Sequence, residues 1–301
     1  MKNGIVRSPL FYVGDKYKLM TEIKSHFPQK IGRFIEPFVG GGSVFLNVDA
    51  ESYLLNDIDS YVVDIHRMLC SYVGNENKFY NDFYSIVDHY GLSNSYVRNE
   101  IPTELKKEFP KTYIAKYNKQ SYSKLKEDFN KKGKNDMLML YVLLIYGFNR
   151  ILRFNKSGDF NVPVGDVDFN KNTRTALDDY FLLMQHKQVQ WYSIDFRDFF
   201  KLIDFQENDF VYLDPPYLIT SSEYNKLWNS DSERNLLNLL NNLDMKEVKF
   251  AISNVTHYRG QTNDIFIQWS QKYNSHPIKS NYISFNDNTI KKFNEVLVTN
   301  F

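Results

Sequence analysis

The residues best suited to chemistry lie where an apolar segment ends in an acid, two prolines and a tyrosine, at 209–217 (DFVYLDPPY). Proline fixes φ and has no N–H donor, so the chain is predicted to stop there as a rigid arch. The arch would hold the Asp214 carboxylate and the Pro215 carbonyl as hydrogen-bond acceptors beside the flat ring of Tyr217. This set suits a planar group with an exocyclic amine, such as a nucleobase that has left the duplex stack. A plain strand terminator is the alternative, but it does not explain the whole string.

A glycine-rich segment at 36–45 (EPFVGGGSVF) is the second candidate. Glycines between a strand and a helix allow the backbone to approach a ligand closely. Asp57 follows Glu36 by 21 residues, at the end of the next predicted strand, where α/β sites place a carboxylate for ribose hydroxyls. A dinucleotide fingerprint would have Gly or Ala where this chain has Phe45, so a ligand with a ribose but no pyrophosphate fits better. Taken alone, the segment is equally compatible with an ordinary glycine turn.

A basic stretch rich in aromatic residues lies at 98–134, with eleven basic residues against five acidic ones in a chain whose net charge is only +1. Basic charge on an exposed face attracts phosphates. The alternative is a solvated helical face whose aromatic side chains turn into the core. The sequence leaves both interpretations open.

Composition narrows the remaining classes of protein. Hydrophobic residues make up 43% and charged residues 24% of the chain, which excludes a disordered protein. The single cysteine, Cys70, excludes a disulfide framework and a cysteine-rich zinc site, and the six histidines show no pair at helical ligand spacing, so no metal is expected. Neither a signal peptide nor a run of 18 apolar residues is present, which predicts a cytoplasmic protein without a membrane span.

The elements that must position these residues follow from periodicity. Strand patterns occur at 32–38, 52–57, 189–194, 209–214, 248–253 and 295–300. Helices are predicted at 15–27 and 232–243 and from Ser43 onward, whereas 61–146 reads as helical and charged and 149–163 as a turn-rich ribbon. An α/β domain interrupted by a mostly helical insert is therefore expected.

The motifs and their order resemble the DNA adenine methylase (Dam) family of N6-adenine-specific DNA methyltransferases, and its phage members most closely around 214–220 and 224–228. The likeness begins with an aromatic-x-Gly-x-Lys segment at 11–16 and covers nearly the whole chain to 294–300. It includes 148–163, which looks like the DNA-reading ribbon of the family.

This resemblance implies an α/β, Rossmann-like S-adenosylmethionine-dependent methyltransferase sheet. The catalytic, S-adenosylmethionine-binding domain would comprise 1–61 and 166–301. A mostly helical target-recognition domain at 62–165, with a β-ribbon near 149–163, would be inserted into it.

Position by position, the resemblance implies three sets of site residues. The catalytic set is Asp214, Pro215, Pro216 and Tyr217. The set that binds S-adenosyl-L-methionine is Tyr12, Lys16, Glu36, Phe38, Gly40, Gly42, Asp57, Asp195, Phe196 and Asp214. The DNA-binding set is Phe148, Asn149, Arg153, Asn155 and Pro163. Within these sets, Arg153 would read a base edge and Phe148 would insert into the base stack.

Local alternatives exist for three of these residues: Lys16 as a surface lysine of a helix, Arg153 as a phosphate contact and Phe148 as a core residue. Two positions also depart from enteric members of the family. Phe11 stands where they carry a lysine that helps to read the first base, and Asp166 stands where a basic residue is common. The recognition sequence is therefore left open between GATC and a related sequence.

The predicted function is transfer of a methyl group from S-adenosylmethionine to N6 of a flipped-out adenine in a short sequence of double-stranded DNA, without a metal. A cognate restriction endonuclease acting separately is a possible partner. An N4-cytosine methyltransferase of the same fold is the nearest alternative, although serine is common there in place of the acid. A nicotinamide oxidoreductase leaves Asp-Pro-Pro-Tyr unexplained, and a non-catalytic DNA-binding protein leaves Asp214, Tyr217 and Asp57 unexplained. The segment 219–228 is open between a loop that closes over the base and a plain surface connection.

Overall fold

A mixed β-sheet is the central element of the computed structural model, which describes residues 4–98, 100–220, 228–279 and 293–301. Its strands are β1 (Arg33–Glu36), β2 (Ser52–Asn56), β3 (Val189–Tyr192), β4 (Phe210–Leu213), β5 (Lys249–Tyr258), β6 (Gln261–Thr262), β7 (Asn274–Ile278) and β8 (Phe293–Thr299). Their order is β3-β2-β1-β4-β5-β8-β7, with β6 paired to β5. The five neighbouring strands β3, β2, β1, β4 and β5 pair in parallel, whereas β8 is antiparallel to both β5 and β7. This mostly parallel sheet confirms the predicted fold class.

The sheet belongs to a unit made of Lys18–Val39, Asn47–Ile58 and Gln188–Phe301, called here the sheet unit. Its helices are α1 (Met20–Lys24), α8 (Phe196–Leu202), α9 (Ser230–Met245) and α10 (Asp264–Ser270). The strands and α8, α9 and α10 share one core, which contains Ile35, Val211, Leu236, Phe250 and Phe266. Every residue of β4 is buried, because a parallel strand inside an α/β sheet is covered on both faces.

A second unit, called here the helical unit, is made of Met1–Tyr17, Gly40–Leu46 and Asp59–Lys187. Its helices are α2 (Ser60–Ser71), α3 (Glu76–Tyr90), α4 (Thr103–Glu108), α5 (Tyr113–Lys131), α6 (Met137–Tyr146) and α7 (Lys171–Met184). The α6 sequence, MLMLYVLLIY, is apolar on all sides and is buried from Met139 to Tyr146. A helix of this kind can only be stable at the centre of a bundle, so α6 forms the core of the helical unit. Within the described ranges, no helix is long and apolar enough to cross a membrane.

An antiparallel ribbon follows α6 in the helical unit. Gly147 bridges to Val164, and Phe154 bridges to Phe160. Helix α5 supports the ribbon through Asn130, whose side-chain amide donates to the Phe160 carbonyl at 3.0 Å and accepts the Phe160 N–H at 2.9 Å. The amide thus satisfies both backbone groups of Phe160 as a neighbouring strand would.

Several elements differ from their predicted bounds. The helix expected at 15–27 is only a 3-10 turn (Tyr17–Leu19) followed by α1, because the chain tightens into i→i−3 turns over 25–27 before Pro28. The helix expected after Ser43 was wrong: the structure has a single 3-10 turn there, Phe45–Asn47, and the chain then runs directly into β2.

Some predictions are not decided by the described residues. Of the loop suggested at 219–228, residues 221–227 lie outside them, together with most of the phage-like segment 224–228. The assignment of catalysis to 1–61 and 166–301 and of target recognition to 62–165 stays a prediction.

Candidate active site

The carboxyl ends of the parallel strands carry four acids of the sheet unit. Glu36 ends β1, and Asp57, Asp195 and Asp214 lie just beyond β2, β3 and β4. The strand order changes direction between β1 and β4, and open α/β sheets bind ligands at the carboxyl edge at such a point. The structure therefore brings these predicted site residues to the edge at which chemistry is expected.

Asn56 joins three of these strand ends and was not identified from the sequence. Its buried side-chain amide donates to the carbonyls of Pro37 and Ile194, both at 3.0 Å, and accepts the Ile194 N–H at 3.1 Å. One side chain thus fixes the segments that follow β1, β2 and β3 relative to one another. Its role arises from tertiary contacts, and no local sequence signal indicates it.

Asp214, the first residue of the Asp-Pro-Pro-Tyr segment, is half-buried just beyond the end of β4. The phenol of Tyr217 donates to Oδ1 of Asp214 at 2.8 Å and also lies 3.2 Å from Oε1 of Glu295 on β8. Glu295 is buried, with 2% of its surface exposed. Because a phenol has one proton, Tyr217 donates fully to only one of the two carboxylates at a time.

Three aromatic rings of the sheet unit cluster near this edge. The ring centroids of Phe38 and Phe196 are 5.4 Å apart, and that of Trp228 lies 5.7 Å from Phe38 and 5.6 Å from Phe196. Phe38 and Phe196 were predicted site residues, whereas Trp228 was known only as part of the phage-like segment. Rings at these spacings attract one another and form an apolar wall.

A buried carboxylate holds Trp228 in place. Glu233 of α9 is fully buried and accepts the Trp228 indole N–H at 2.7 Å and the side-chain amides of Asn254 and Asn263, both at 2.9 Å. Three N–H donors compensate the cost of burying this charge. Glu233 was not identified from the sequence, because its position is that of an ordinary acid in the first turn of a helix.

Asp195 caps α8: its Oδ1 accepts the N–H of Arg197 at 2.9 Å. The Arg197 guanidinium also pairs with both carboxylate oxygens of Asp195, at 2.7 and 2.8 Å. This pairing lowers the pKa of Asp195, so the carboxylate stays ionised at neutral pH.

The glycine loop lies in the helical unit. Gly40 and Gly42 have φ of +46° and +79°, a region that favours glycine. The loop packs on Tyr12 so closely that a Cβ built on Gly41 would lie 2.5 Å from the Cβ of Tyr12. Gly41 is also bound through its carbonyl, which accepts a hydrogen bond from the Ser8 hydroxyl.

His66 of α2 supports the same loop from inside the helical unit. Its Nε2 donates to the Gly40 carbonyl at 3.1 Å, so its Nδ1 accepts from the Tyr180 hydroxyl at 3.3 Å. Complete burial lowers the pKa of His66 to about 4 and keeps the ring neutral.

Lys16 is also buried, with 3% of its surface exposed, and precedes the first helical turn, so the alternative of a surface lysine on a helix is wrong.

The predicted DNA-binding residues lie together on the ribbon. Phe148 is 51% exposed and therefore is not a core residue, and its N–H donates to the Pro163 carbonyl at 2.8 Å. Arg153 donates to the side chain and the carbonyl of Asn161 at 2.8 and 3.2 Å. Asn155 accepts the N–H groups of residues 157 and 159 and so closes the tip of the ribbon. Asn149 adopts φ of +53°.

The basic stretch at 98–134 has exposed lysines and buried aromatic side chains, as expected for a solvated helical face, and attraction of phosphates stays a prediction. The aromatic residues Tyr122 and Phe129 of α5 are buried. Two of the lysines bind the ribbon instead of solvent: Lys126 donates to the Val162 carbonyl at 3.4 Å, and Lys134 pairs with Asp159 at 2.8 Å. The exposed lysines of this stretch include Lys116, Lys119, Lys124 and Lys132.

Asp166, one of the two departures from the family pattern, has a local structural role. Its Oδ1 accepts the N–H of Ala115 at 2.9 Å in the first turn of α5. A carboxylate is favoured at a helix N-terminus, so Asp166 caps α5 from a distance of 51 residues along the chain. A basic residue at this position would lack that interaction.

The structure thus gathers the predicted residues into two groups. The sheet unit holds Glu36, Phe38, Asp57, Asp195, Phe196 and the 214–217 segment, and the helical unit holds Tyr12, Lys16, Gly40, Gly42 and the ribbon residues. Among the described residues, no three His, Cys, Asp or Glu side chains form a group that could hold a metal ion. The functional roles of the individual residues stay predictions.

Comparison with known proteins agrees with these motifs. A family model described as D12 class N6 adenine-specific DNA methyltransferase matches residues 12–283. The chain is 34% identical to the type II methyltransferase M.FokI of Planomicrobium okeanokoites and 32% identical to the modification methylase StsI of Streptococcus sanguinis, over 99% and 98% of its own length. It spans only 43% of the length of either relative.

A DNA adenine methylase of Escherichia coli is 29% identical, over 97% of this chain and 94% of that protein. The family match spans the glycine loop, the helical insert and the Asp-Pro-Pro-Tyr segment in the order read from the sequence. The resemblance is therefore confirmed, and the chain belongs to the family of D12 class N6 adenine-specific DNA methyltransferases.

Proposed function

We propose that this chain transfers a methyl group from S-adenosylmethionine to N6 of an adenine in a short sequence of double-stranded DNA, GATC or a related one. The observation that carries the proposal is the Asp214 carboxylate, fixed at the end of β4 beside the strand-order switch and bonded to Tyr217 at 2.8 Å. The membership of the chain in an adenine-specific family supports adenine over cytosine as the target base.

The donor set at the sheet edge fits S-adenosylmethionine. The Phe38, Phe196 and Trp228 wall would contact the adenine ring of the cofactor, and Asp57 would accept hydrogen bonds from its ribose hydroxyls. In the sheet unit, Glu36 and Asp195 would also take part in binding the cofactor. The family resemblance assigns cofactor contacts to Tyr12, Lys16, Gly40 and Gly42 of the helical unit as well. When bound, this cofactor supplies a methyl group on a sulfonium, which needs no metal for activation.

The chemistry of this chain consists mainly in positioning an amine. The lone pair of the adenine N6 is delocalised into the ring, so the amine is a poor nucleophile. The Asp214 carboxylate and the Pro215 carbonyl would accept hydrogen bonds from the two N–H groups of this amine. They would thereby favour a pyramidal nitrogen whose lone pair points at the methyl group of the cofactor. Fixed acceptors of this kind supply their rate enhancement through orientation and electrostatics.

Tyr217 would have two tasks in this arrangement. Its ring would stack on the flipped base, a contact worth roughly 1–3 kcal/mol in other base–aromatic pairs. Its hydroxyl would turn toward Glu295 when the base enters, so that Oδ1 of Asp214 becomes available to the amine. The distances from the Tyr217 hydroxyl oxygen, 2.8 Å to Asp214 and 3.2 Å to Glu295, allow this exchange by rotation of the hydroxyl about its C–O bond.

The ribbon of the helical unit would read the DNA. Phe148 is exposed where the ribbon begins and would insert into the stack of DNA bases. Arg153, whose guanidinium is held by Asn161, would contact the edge of a nucleobase. Asn149, Asn155 and Pro163 belong to the same surface. The residues 62–165 would act as the target-recognition domain.

The first experiment is expression in a bacterial host that lacks adenine methylation, followed by methylation-sensitive sequencing of its genome. N6-methyladenine at one short motif supports the proposal and gives the recognition sequence. N4-methylcytosine would establish the alternative reaction, and soluble protein that leaves no mark would indicate a DNA-binding protein without catalysis. The Asp214→Ala variant, expressed to the same level, is the control.

The relatives named as modification methylases favour a place beside a restriction endonuclease that cleaves the same sequence. We place the activity in the cytoplasm of a bacterial or phage-infected cell, where the DNA substrate is. Co-expression with a candidate endonuclease tests the first point: the chain should protect the host DNA from cleavage, and the Asp214→Ala variant should not.

A further inference from the structure

Two arginines of the helical unit share one aromatic ring. The guanidinium carbon of Arg150 lies 3.9 Å from the ring centroid of Phe11, and that of Arg7 lies 4.6 Å from the same centroid. Arg7 also lies 5.4 Å from the ring centroid of Tyr17. The guanidinium groups are thus held near one another by cation–π contacts with the ring of Phe11.

Neither arginine has a carboxylate partner among the residues that the structure describes. The guanidinium of Arg150 donates to the hydroxyl of Thr173 at 3.3 Å. The charge of Asp168 acts on Arg150, but this carboxylate already accepts hydrogen bonds from the side chain of Ser93 and from the backbone and side chain of Ser95. Within the described part of the helical unit, no carboxylate forms an ion pair with either of these positive charges.

The two charges act against each other. Burial lowers the pKa of Arg150 to about 10, and the neighbouring charge of Arg7 contributes to the shift. Like charges at short distance are unfavourable unless an anion binds between or beside them. An arrangement that keeps two such charges together is typical of a site for an anionic ligand.

The backbone around these residues is also unusual. Phe11, Asn149 and Arg150 adopt φ of +49°, +53° and +50°, a region that non-glycine residues seldom enter. Such strain persists only where the surrounding structure imposes it, and it concentrates at functional sites. Arg150 also follows the exposed Phe148 by two residues, so the pair of arginines lies at the base of the ribbon.

We propose that Arg7 and Arg150, held against the ring of Phe11, form a binding site for one phosphate group of the DNA backbone. The inference rests on the proposed function, since it takes duplex DNA as the substrate. Guanidinium groups donate several N–H bonds in a planar array that matches phosphate oxygens, and the phosphate would relieve the repulsion between the two charges. Phosphate contacts set the register of a protein on DNA without reading its sequence.

The test compares duplex binding by the wild type and by Arg7→Gln, because Arg7 is exposed and its replacement leaves the core intact. Fluorescence anisotropy is measured with a duplex that contains the sequence methylated by the enzyme and with a duplex of scrambled sequence, each over a range of salt concentrations. We expect Arg7→Gln to weaken binding to both duplexes to the same degree, on the order of tenfold. The slope of log affinity against log salt should fall by about 0.9 for the lost phosphate contact.

Arg67→Gln is the matched control, since it removes one exposed positive charge from α2 of the same unit, where Arg67 pairs with Asp64 at 3.0 Å. Equal weakening by both variants would reduce the effect to net charge and overturn the proposal. Phe11→Leu tests the role of the ring: it retains both arginines and an apolar side chain, and it should give part of the loss.

Two further results would overturn the proposal. If Arg7→Gln methylated DNA sites in which one position of the recognition sequence accepts other bases, Arg7 would be a base-reading residue. Binding and salt slope equal to those of the wild type would make the arginine–phenylalanine contacts purely structural. If the wild type binds duplex DNA but leaves no methyl mark, the proposed function fails while the phosphate site can still be assessed from binding alone.

Discussion

The Tyr217 hydroxyl donates to Oδ1 of Asp214 at 2.8 Å, so the last residue of the Asp-Pro-Pro-Tyr segment is bonded back to its first. The two prolines between them fix the backbone of the arch, and this bond fixes its two functional side chains. Glu295, 3.2 Å from the same hydroxyl, adds an acceptor from β8, a strand 78 residues further along the chain. The active-site segment is thus held both locally and by the neighbouring part of the sheet.

Replacement of Asp214 should separate catalysis from binding. In Asp214→Ala the amine loses its charged acceptor, and kcat should fall at least about 1,000-fold, while the affinity for duplex DNA stays within about twofold. Single-turnover methylation and duplex binding measure the two effects. Asp198→Ala removes an exposed acid of α8, which pairs with Lys201, and should leave both values unchanged. An Asp214→Ala enzyme with normal turnover would contradict the role given to this carboxylate.

Glu295 should act through Tyr217 as a positioning residue. In Glu295→Gln the side chain becomes a weaker acceptor, so the Tyr217 hydroxyl continues to donate to Asp214. This hydrogen bond then competes with the one from the substrate amine. We expect kcat to fall roughly 10- to 100-fold with little change in KM for DNA. Tyr217→Phe should also lower kcat.

A double-mutant cycle gives the decisive comparison for this pair. Once Tyr217→Phe has removed the hydroxyl, the additional Glu295→Gln replacement should cost nothing further. Independent, additive losses would show that Glu295 acts by another route.

Gly41 should tolerate no side chain. A Cβ there would lie 2.5 Å from the Cβ of Tyr12, an atom too close to the backbone to move away. Gly41→Ala should therefore lower the free energy of unfolding by about 1–3 kcal/mol and weaken S-adenosylmethionine binding by displacing the loop. Thermal unfolding with and without the cofactor measures both. Gly32→Ala is the control, because its Cβ would meet its nearest neighbour at an ordinary 3.5 Å.

His66 should make the stability of the protein depend on pH in acid. Its pKa is about 4 in the folded protein against 6.5 for a free histidine, so the unfolded chain binds the extra proton between these values. The contribution is fully present above pH 6.5 and is lost as the pH falls to about 4, at a cost of about 3 kcal/mol in the free energy of unfolding.

Denaturant unfolding at pH 7 and at pH 4.5 tests this dependence. His66→Gln cannot take up the proton, so its stability should change less between the two pH values than that of the wild type. His89→Gln, which replaces an exposed histidine of α3, should keep the wild-type dependence. If His66→Gln retained the full pH dependence, other groups would be responsible for it.

Local patterns were enough to predict the mostly parallel sheet and the positions of the key motifs along the chain, and the resemblance of these motifs indicated the family. The apolar segment that leads into Asp214 is β4, and the segment that leads into Asp57 is β2, because a run of buried β-formers ended by a polar residue is a local signal. The extents of helices near residues 20 and 45 were less predictable, since turn geometry and contacts with the rest of the chain decided them.

Tertiary contacts alone decided the surroundings of these motifs. Glu295 lies near Tyr217, Asn56 joins three strand ends, and Glu233 accepts hydrogen bonds from Asn254 and Asn263. Each of these contacts depends on how distant segments come together in the sheet unit. Arg7 and Arg150 meet on Phe11 for the same reason in the helical unit. Motif chemistry is encoded by residues a few positions apart and can be read directly from the sequence. The partners that hold each side chain come from remote parts of the chain, and only the fold brings them within hydrogen-bond or ring-contact distance.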